Sequence, residues 1–140
     1  MKVAINTAFG GFHLTPEIMF KIYDLKGLPL YAFSEYDTEE HYTPNTYRLL
    51  TREEAIRMDN PFLPYATTPT YSEGTAVWEH QEKENRTDPI LIQVIESLPE
   101  ERRNDIGIVN VPDDAEWYIA EYDGMEHIAE EHRTWFAEPE

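Results

Sequence analysis

The chain has 140 residues, the size of one typical domain, and 41% of them are hydrophobic, which suffices for a core. Its net charge of −17 argues against direct binding to DNA or RNA, because contacts with phosphates require clustered Lys and Arg. The absence of cysteine excludes disulfides, thiolate catalysis and zinc sites with Cys ligands.

The N-terminal segment has the pattern of a strand, a glycine break and a helix. β-Branched residues alternate with small ones over Lys2–Ala8, which predicts a short strand. Gly10 and Gly11 then interrupt the chain, and they allow backbone angles that other residues resist. Apolar residues at helical spacing follow, between an N-cap threonine and the C-cap candidate Gly27, so we predict a helix over Thr15–Lys26.

The middle of the chain alternates short regular segments with loops. Leu28–Tyr36 has the composition of a second strand, and a capping box that begins at Thr51 predicts a short helix ending near Met58. Three prolines interrupt Asn60–Tyr71 and disfavour regular structure, although its aromatic residues indicate that it packs against the body. Thr75–His80 has the pattern of a short strand.

One helix and one strand precede the C-terminal segment. The helix has Asp88 as its predicted N-cap, carries a strong apolar face and ends at Pro99. Ile106–Val111 follows as a strand. The order of elements indicates an α+β fold of one domain, residues 1–140, with two or three helices packed on one side of a mostly antiparallel sheet.

The C-terminal segment has the pattern of a β-hairpin. Trp117–Tyr122 and Met125–His132 alternate on either side of Asp123-Gly124, the favoured residue pair of a two-residue hairpin turn. A helix that begins at Met125 is the alternative, because apolar residues at 125, 128 and 129 also have helical spacing. We favour the C-terminal β-hairpin.

Acidic residues are concentrated at the C-terminal end of the chain. From Pro112 to Glu140 there are ten Asp or Glu and one Arg, so over half of the net charge lies there. Such a surface is suited to a basic partner, which charge would attract; the candidate contact residues are Glu121, Asp123, Glu126, Glu130 and Glu131. Two other interpretations stay open: self-repulsion that keeps the protein monomeric, and adaptation to salt, since Lys is scarce.

A nucleotide-like molecule is a second candidate ligand. The two adjacent glycines lie between a predicted strand and a helix, where backbone amides can bind an anion, although no ATP-type phosphate loop or dinucleotide fingerprint is present. The single arginine of the acidic segment would pair with phosphate, and aromatic rings would stack on a base. The candidate ligand residues are Gly10, Gly11, Trp117, Tyr122, Arg133 and Trp135. The structural alternative is a tight turn, a salt bridge and core aromatics.

Carboxylates and imidazoles near the predicted turn suggest a third function, hydrolysis that depends on a divalent metal. Its candidate residues are Asp123, Glu130 and His132, and a carboxylate-rich site suits Mg²⁺ or Mn²⁺. The His-Glu-x-x-His zinc pattern and the serine nucleophile signature are absent from the sequence. We therefore assign no catalytic residue, metal or cofactor and expect a protein that is not an enzyme.

Three segments of the chain resemble a group of small proteins encoded by bacteriophages and prophages. They read KVAINTAFGGF, NRTDPILIQVIESL and VPDDAEWYIAEYDGMEHIAEEHRTW, and together they cover roughly residues 1–27 and 86–135. The resemblance implies a context, because small phage accessory proteins often block a host component or sequester a nucleotide signal. It transfers no catalytic residue.

These observations together predict an acidic accessory protein of the phage type. We expect a non-catalytic inhibitor that binds a basic surface of a host defence component, with nucleotide sequestration and metal-dependent hydrolysis as alternatives. No signal peptide or membrane-spanning segment is apparent, which predicts the cytoplasm, that of the host if a phage encodes the protein. Homo-oligomerisation through apolar residues around 60–71 stays open.

Overall fold

The computed structural model describes residues 1–35, 47–72, 74–77 and 83–130, and the elements below belong to these ranges. The helices α1, α2 and α3 span Pro16–Lys26, Arg52–Met58 and Pro89–Ser97. The strands β1 to β8 span, in chain order, Lys2–Asn6, Tyr31–Glu35, Tyr47–Leu50, Tyr65–Ala66, Ala76–Val77, Ile106–Asn110, Trp117–Tyr122 and Met125–Glu130. Two 3₁₀ turns span Lys83–Thr87 and Glu100–Arg102.

The strand pairs that the structure describes are all antiparallel and form three sheets. β1 pairs with β6, the order β3-β2-β4-β5 forms the largest sheet, and β7 pairs with β8. The predicted α+β fold with its C-terminal hairpin is confirmed. The alternative of a helix beginning at Met125 is wrong, because Met125–Glu130 is a strand that pairs with Trp117–Tyr122 along its whole length.

The helix ends follow the capping residues that the sequence predicted. The Thr15 hydroxyl accepts a hydrogen bond from the Ile18 amide, and Thr51 forms the full capping box of α2. The Asp88 carboxylate accepts from the Ile90 amide at 2.9 Å at the start of α3. Each cap satisfies amides that the first helical turn leaves without an intrahelical partner.

The second strand begins later than the sequence predicted, at Tyr31 rather than Leu28. The Leu28 amide donates to the carbonyl of Tyr23, and the Gly27 amide donates to that of Asp24. These two bonds are a Schellman motif, made possible by the left-handed backbone of Gly27 at φ 69°. Leu28 therefore belongs to the end of α1.

The proline-rich segment 60–71 packs down, as its aromatic residues indicated. Leu63, Tyr65 and Ala66 are buried, and the two-residue strand β4 pairs with both β2 and β5. β5 covers only Ala76–Val77, and the remainder of the strand predicted over Thr75–His80 lies outside the described residues.

Strand β1 lies between two apolar clusters of the described residues, and this position of β1 places the candidate site. Ala4 belongs to the larger cluster, built mainly from α1, α3 and the four-stranded sheet. Val3 and Ile5 belong to the smaller cluster, where they pack with Val111 and Trp117. Because successive side chains of a strand point to opposite faces, β1 contacts the helical layer and the hairpin at once.

Candidate functional site on the C-terminal hairpin

The turn of the hairpin has the geometry that its sequence favours. Asp123 has φ 50° and Gly124 has φ 85°, so both central residues are left-handed, as a type I′ turn requires. The register places directly opposed residues on the same face of the hairpin. One face carries Trp117, Ile119, Glu121, Glu126, Ile128 and Glu130, and the other carries Tyr118, Ala120, Tyr122, Met125, His127 and Ala129.

The first of these faces, here called the inner face, packs against β1. Trp117 is 6% exposed and contacts the cluster of Val3 and Ile5, with Ile119 and Ile128 packed around it. The Lys83 ammonium lies 4.4 Å from the centroid of the Trp117 ring, a cation–π contact that covers it further. Trp117 is therefore a core residue, and its ring is not available to stack on a ligand.

Glu126 forms a buried ion pair with Arg86. Their side chains are 7% and 2% exposed, and two nearly parallel bonds join them: Nη1 to Oε1 at 2.7 Å and Nη2 to Oε2 at 3.0 Å. This bidentate geometry is the strongest that a guanidinium and a carboxylate adopt. Glu126 therefore does not lie on the exposed acidic surface where the sequence had placed it.

The ion pair also binds the backbone of β1 along the side away from β6. Glu126 Oε1 accepts from the Asn6 amide at 2.8 Å, and Arg86 Nη1 donates to the Ala4 carbonyl at 3.3 Å. The guanidinium carbon lies 3.7 Å from the centroid of the Phe12 ring. Buried backbone groups require partners, and here two charged side chains supply what a neighbouring strand would otherwise provide.

The glycine turn at Gly10 and Gly11 contacts the turn of the hairpin. The Gly10 amide donates to the Asp123 carbonyl at 3.2 Å, and Asn6 Nδ2 donates to the Gly124 carbonyl at 2.7 Å. A Cβ atom on Gly124 would lie 2.2 Å from the Gly11 nitrogen, so only glycine allows this approach. Gly10 and Gly11 thus pack against the hairpin turn, and the Gly10 amide is already hydrogen-bonded and does not face an anion site.

The other face of the hairpin, here called the outer face, is mostly exposed, and none of the six residues described on it carries a carboxylate. Tyr122 is 76% exposed, Tyr118 44% and Met125 36%, and His127 is exposed as well. Ala120 and Ala129 lie between them and are half-buried. The result is a surface of aromatic and apolar groups at the end of an acidic chain.

Exposed carboxylates lie next to this face along the chain. Glu121, Asp123 and Glu130 are exposed on the hairpin, and Asp113, Asp114 and Glu116 are exposed in the segment before β7. The amino terminus lies 2.8 Å from Asp113 and lowers the pKa of its carboxyl by hydrogen bonding and charge. Among the described residues, the other five carboxylates have no Lys or Arg within ion-pair distance.

Several predicted site residues lie outside the part of the chain that the structure describes, namely Glu131, His132, Arg133 and Trp135. Within that part, no group of three His, Asp or Glu is placed to hold a metal ion. No helix among the described residues is long and apolar enough to cross a membrane. The residues of the predicted ligand set that are described divide between the core, the turn contact and the exposed face.

No local pattern in the sequence identifies Arg86 as a residue of this site. Its partner lies 40 positions away along the chain, so no local pattern connects them. The strand pattern does indicate the position of Glu126, because it lies two residues before Ile128 and therefore shares the inner face with it. Asn6 likewise continues the strand pattern of β1 and is 2% exposed.

Comparison of the chain with protein-family models, with curated proteins and with solved structures gave no match.

Proposed function

We propose that the protein is a non-catalytic accessory protein of the phage type that binds a basic surface of a host defence component and blocks it. One observation carries this proposal. Residues 112–130 contain seven Asp or Glu and no Lys or Arg, and six of the seven carboxylates are exposed. The seventh, Glu126, has its charge matched by Arg86 and holds the hairpin in place.

The chemistry of the partner follows from the sign of this surface. Clustered Lys and Arg that normally contact nucleic acid form the natural complement to a dense group of carboxylates. Attraction between the two surfaces speeds their encounter. Salt screens this attraction, with a Debye length of about 8 Å at physiological ionic strength. An inhibitor of this type competes with nucleic acid for the same cleft.

Displacement of labelled duplex DNA from purified nucleic-acid-binding defence proteins tests the proposal. We expect the protein to displace DNA from at least one of them, and to lose at least tenfold in affinity when Glu121 and Glu130 are both changed to Lys. The matched control changes Glu53 and Glu101 to Lys, which are exposed on α2 and in the turn after α3. The control has the same net charge and should keep nearly full affinity.

Two results would contradict the proposal. One is a failure to displace DNA from any protein of the panel at low salt. The other is an equal loss of affinity in the hairpin variant and the control variant, since that would assign the effect to net charge alone.

The two alternative functions receive less support from the described residues. The hypothesis of nucleotide binding requires the Trp117 ring and the amides of Gly10 and Gly11. The ring is buried, and the Gly10 amide donates a hydrogen bond to the Asp123 carbonyl. The hypothesis of metal-dependent hydrolysis requires Asp123 and Glu130 together with His132, which lies outside the described residues. Thermal unfolding with nucleotides and divalent cations provides the direct test of both, because a ligand that binds the folded state raises Tm.

A further inference from the structure

The outer face of the hairpin has the composition of the centre of a protein–protein contact. It carries two tyrosines, a methionine and a histidine, all exposed, with alanines between them. Tyrosine and methionine are enriched at such contacts, and the charged residues Lys, Glu and Asp are depleted from their centres. An exposed strand face on a strongly acidic chain would ordinarily carry polar or charged residues, yet the six residues described on this one include no carboxylate.

Exposed carboxylates lie beside this centre along the hairpin, and we call them its rim. Glu121 and Glu130 belong to the inner face by register but are exposed, and Asp123 lies at the turn. An apolar centre with a polar rim is the ordinary anatomy of a binding surface, in which the centre supplies most of the affinity and the rim excludes water. Here the rim has only one sign of charge among the described residues.

Several buried contacts fix the hairpin on the side opposite this face. They are the bidentate bonds between Arg86 and Glu126, the bonds of Asn6 to Glu126 and Gly124, and the contact between the glycine turn at 10–11 and the hairpin turn. A surface that is already ordered loses less conformational freedom on binding. Tyrosine adds contact area with only two side-chain torsions to fix.

We propose that the outer face docks onto a basic protein surface that presents apolar side chains between its Lys and Arg residues. This inference depends on the function proposed above and names the contact that performs it. A second copy of this chain is the less suitable occupant, because a two-fold contact would bring the two acidic rims against each other. A nucleic acid would meet the same rim with its phosphates and be repelled.

Two synthetic 16-residue peptides separate the centre from the rim. One alternates Arg with Leu and the other alternates Arg with Ser, so their charges are equal and only one offers apolar groups. We expect the protein to bind both at low salt, and to prefer the Arg/Leu peptide by about tenfold. Isothermal titration with each purified variant supplies the affinities.

Substitution of the exposed tyrosines tests whether this preference arises at the outer face. Tyr122→Ser should reduce the preference about threefold or more, and the double variant Tyr118→Ser with Tyr122→Ser should abolish it while binding to the Arg/Ser peptide persists. The control variant Leu25→Ser with Met58→Ser removes two apolar side chains that are 52% and 47% exposed elsewhere. It should leave the preference unchanged, and circular dichroism confirms that each variant is folded.

The outcomes are distinguishable. Equal affinity for the two peptides, or a preference that survives both tyrosine substitutions, overturns the inference while the proposed function stands. A protein that binds neither peptide at low salt overturns the proposed function as well. A concentration-dependent dimer that Tyr122→Ser converts to a monomer, measured by sedimentation equilibrium, would assign the outer face to a second copy and also overturn the inference.

Discussion

The buried ion pair between Arg86 and Glu126 is the central feature of the protein at the scale of single residues. Each member compensates the charge of the other, and each also satisfies a backbone group of β1. Removal of one member leaves a buried charge without its counter-ion, which is far more costly than removal of both. The pair therefore fixes where the hairpin sits.

Substitution of Glu126 should reduce the free energy of unfolding much more than substitution of a residue in an exposed ion pair. We expect Glu126→Ala to lower the free energy of unfolding by about 3–5 kcal/mol, because Arg86 would stay buried and unpaired. The double variant Arg86→Met with Glu126→Leu should recover much of that loss. Urea denaturation of the three proteins measures both effects.

The ion pair of Asp24 with Arg52 is the matched control, since its side chains are 50% and 48% exposed. Asp24→Asn should cost less than about 1 kcal/mol, as for other pairs at the surface. Equal losses from Glu126→Ala and Asp24→Asn would contradict the importance assigned to the buried pair.

Gly124 is the second residue on which the hairpin depends. Gly124→Ala forces a Cβ atom within 2.2 Å of the Gly11 nitrogen, in addition to the strain of its positive φ. Gly27→Ala carries the same kind of strain at φ 69° but meets nothing within 4 Å. The strain alone should cost about 1–2 kcal/mol at either site. Gly124→Ala should cost distinctly more in thermal unfolding, and equal losses would show that the turns can separate freely.

At the scale of elements, the pattern of the chain predicted what is local. The caps at Thr15, Thr51 and Asp88 and the Asp123-Gly124 turn placed the helices and the hairpin, because their chemistry acts within a few residues. The contact of Arg86 with Glu126 was beyond such reasoning, since it depends on the packing of the hairpin against β1. The density of acidic residues from 112 to 140 predicts that Glu126 is exposed, and this prediction is wrong.

The ion pair of Asp24 with Arg52 joins helices α1 and α2, and its contribution to stability should depend on pH. The side-chain hydrogen bond from Arg52 lowers the pKa of Asp24 below its ordinary 3.8. A carboxyl with a lowered pKa in the folded state stabilises that state above about pH 3.8, and the contribution disappears as the pH falls through the lowered value.

Thermal unfolding between neutral pH and strongly acid pH measures this contribution. The Tm of Asp24→Asn should lie slightly below that of the unsubstituted protein at neutral pH, and the difference should vanish at a pH below the lowered pKa of Asp24. Solvent screening keeps the difference small, because both side chains are about half exposed. A difference that grows towards acid pH would contradict the assignment.

At the scale of the whole molecule, the proposed binding surface combines two parts of one hairpin. Its inner face packs against the core and carries the Arg86 pair, whereas the outer face and the carboxylates of residues 113–130 other than Glu126 are largely exposed. Composition predicted the acidic character of this region, but not which carboxylates reach the surface. That depended on register, since a shift of one residue exchanges the two faces.

The most direct test of the proposed acidic binding surface is the salt dependence of the Kd for a DNA-binding defence protein whose DNA the protein displaces. We predict that Kd rises steeply with salt, that Glu121→Lys with Glu130→Lys flattens this dependence, and that Glu53→Lys with Glu101→Lys preserves it. A Kd that is indifferent to salt, or a dependence that the two variants alter equally, would contradict a binding surface on the hairpin.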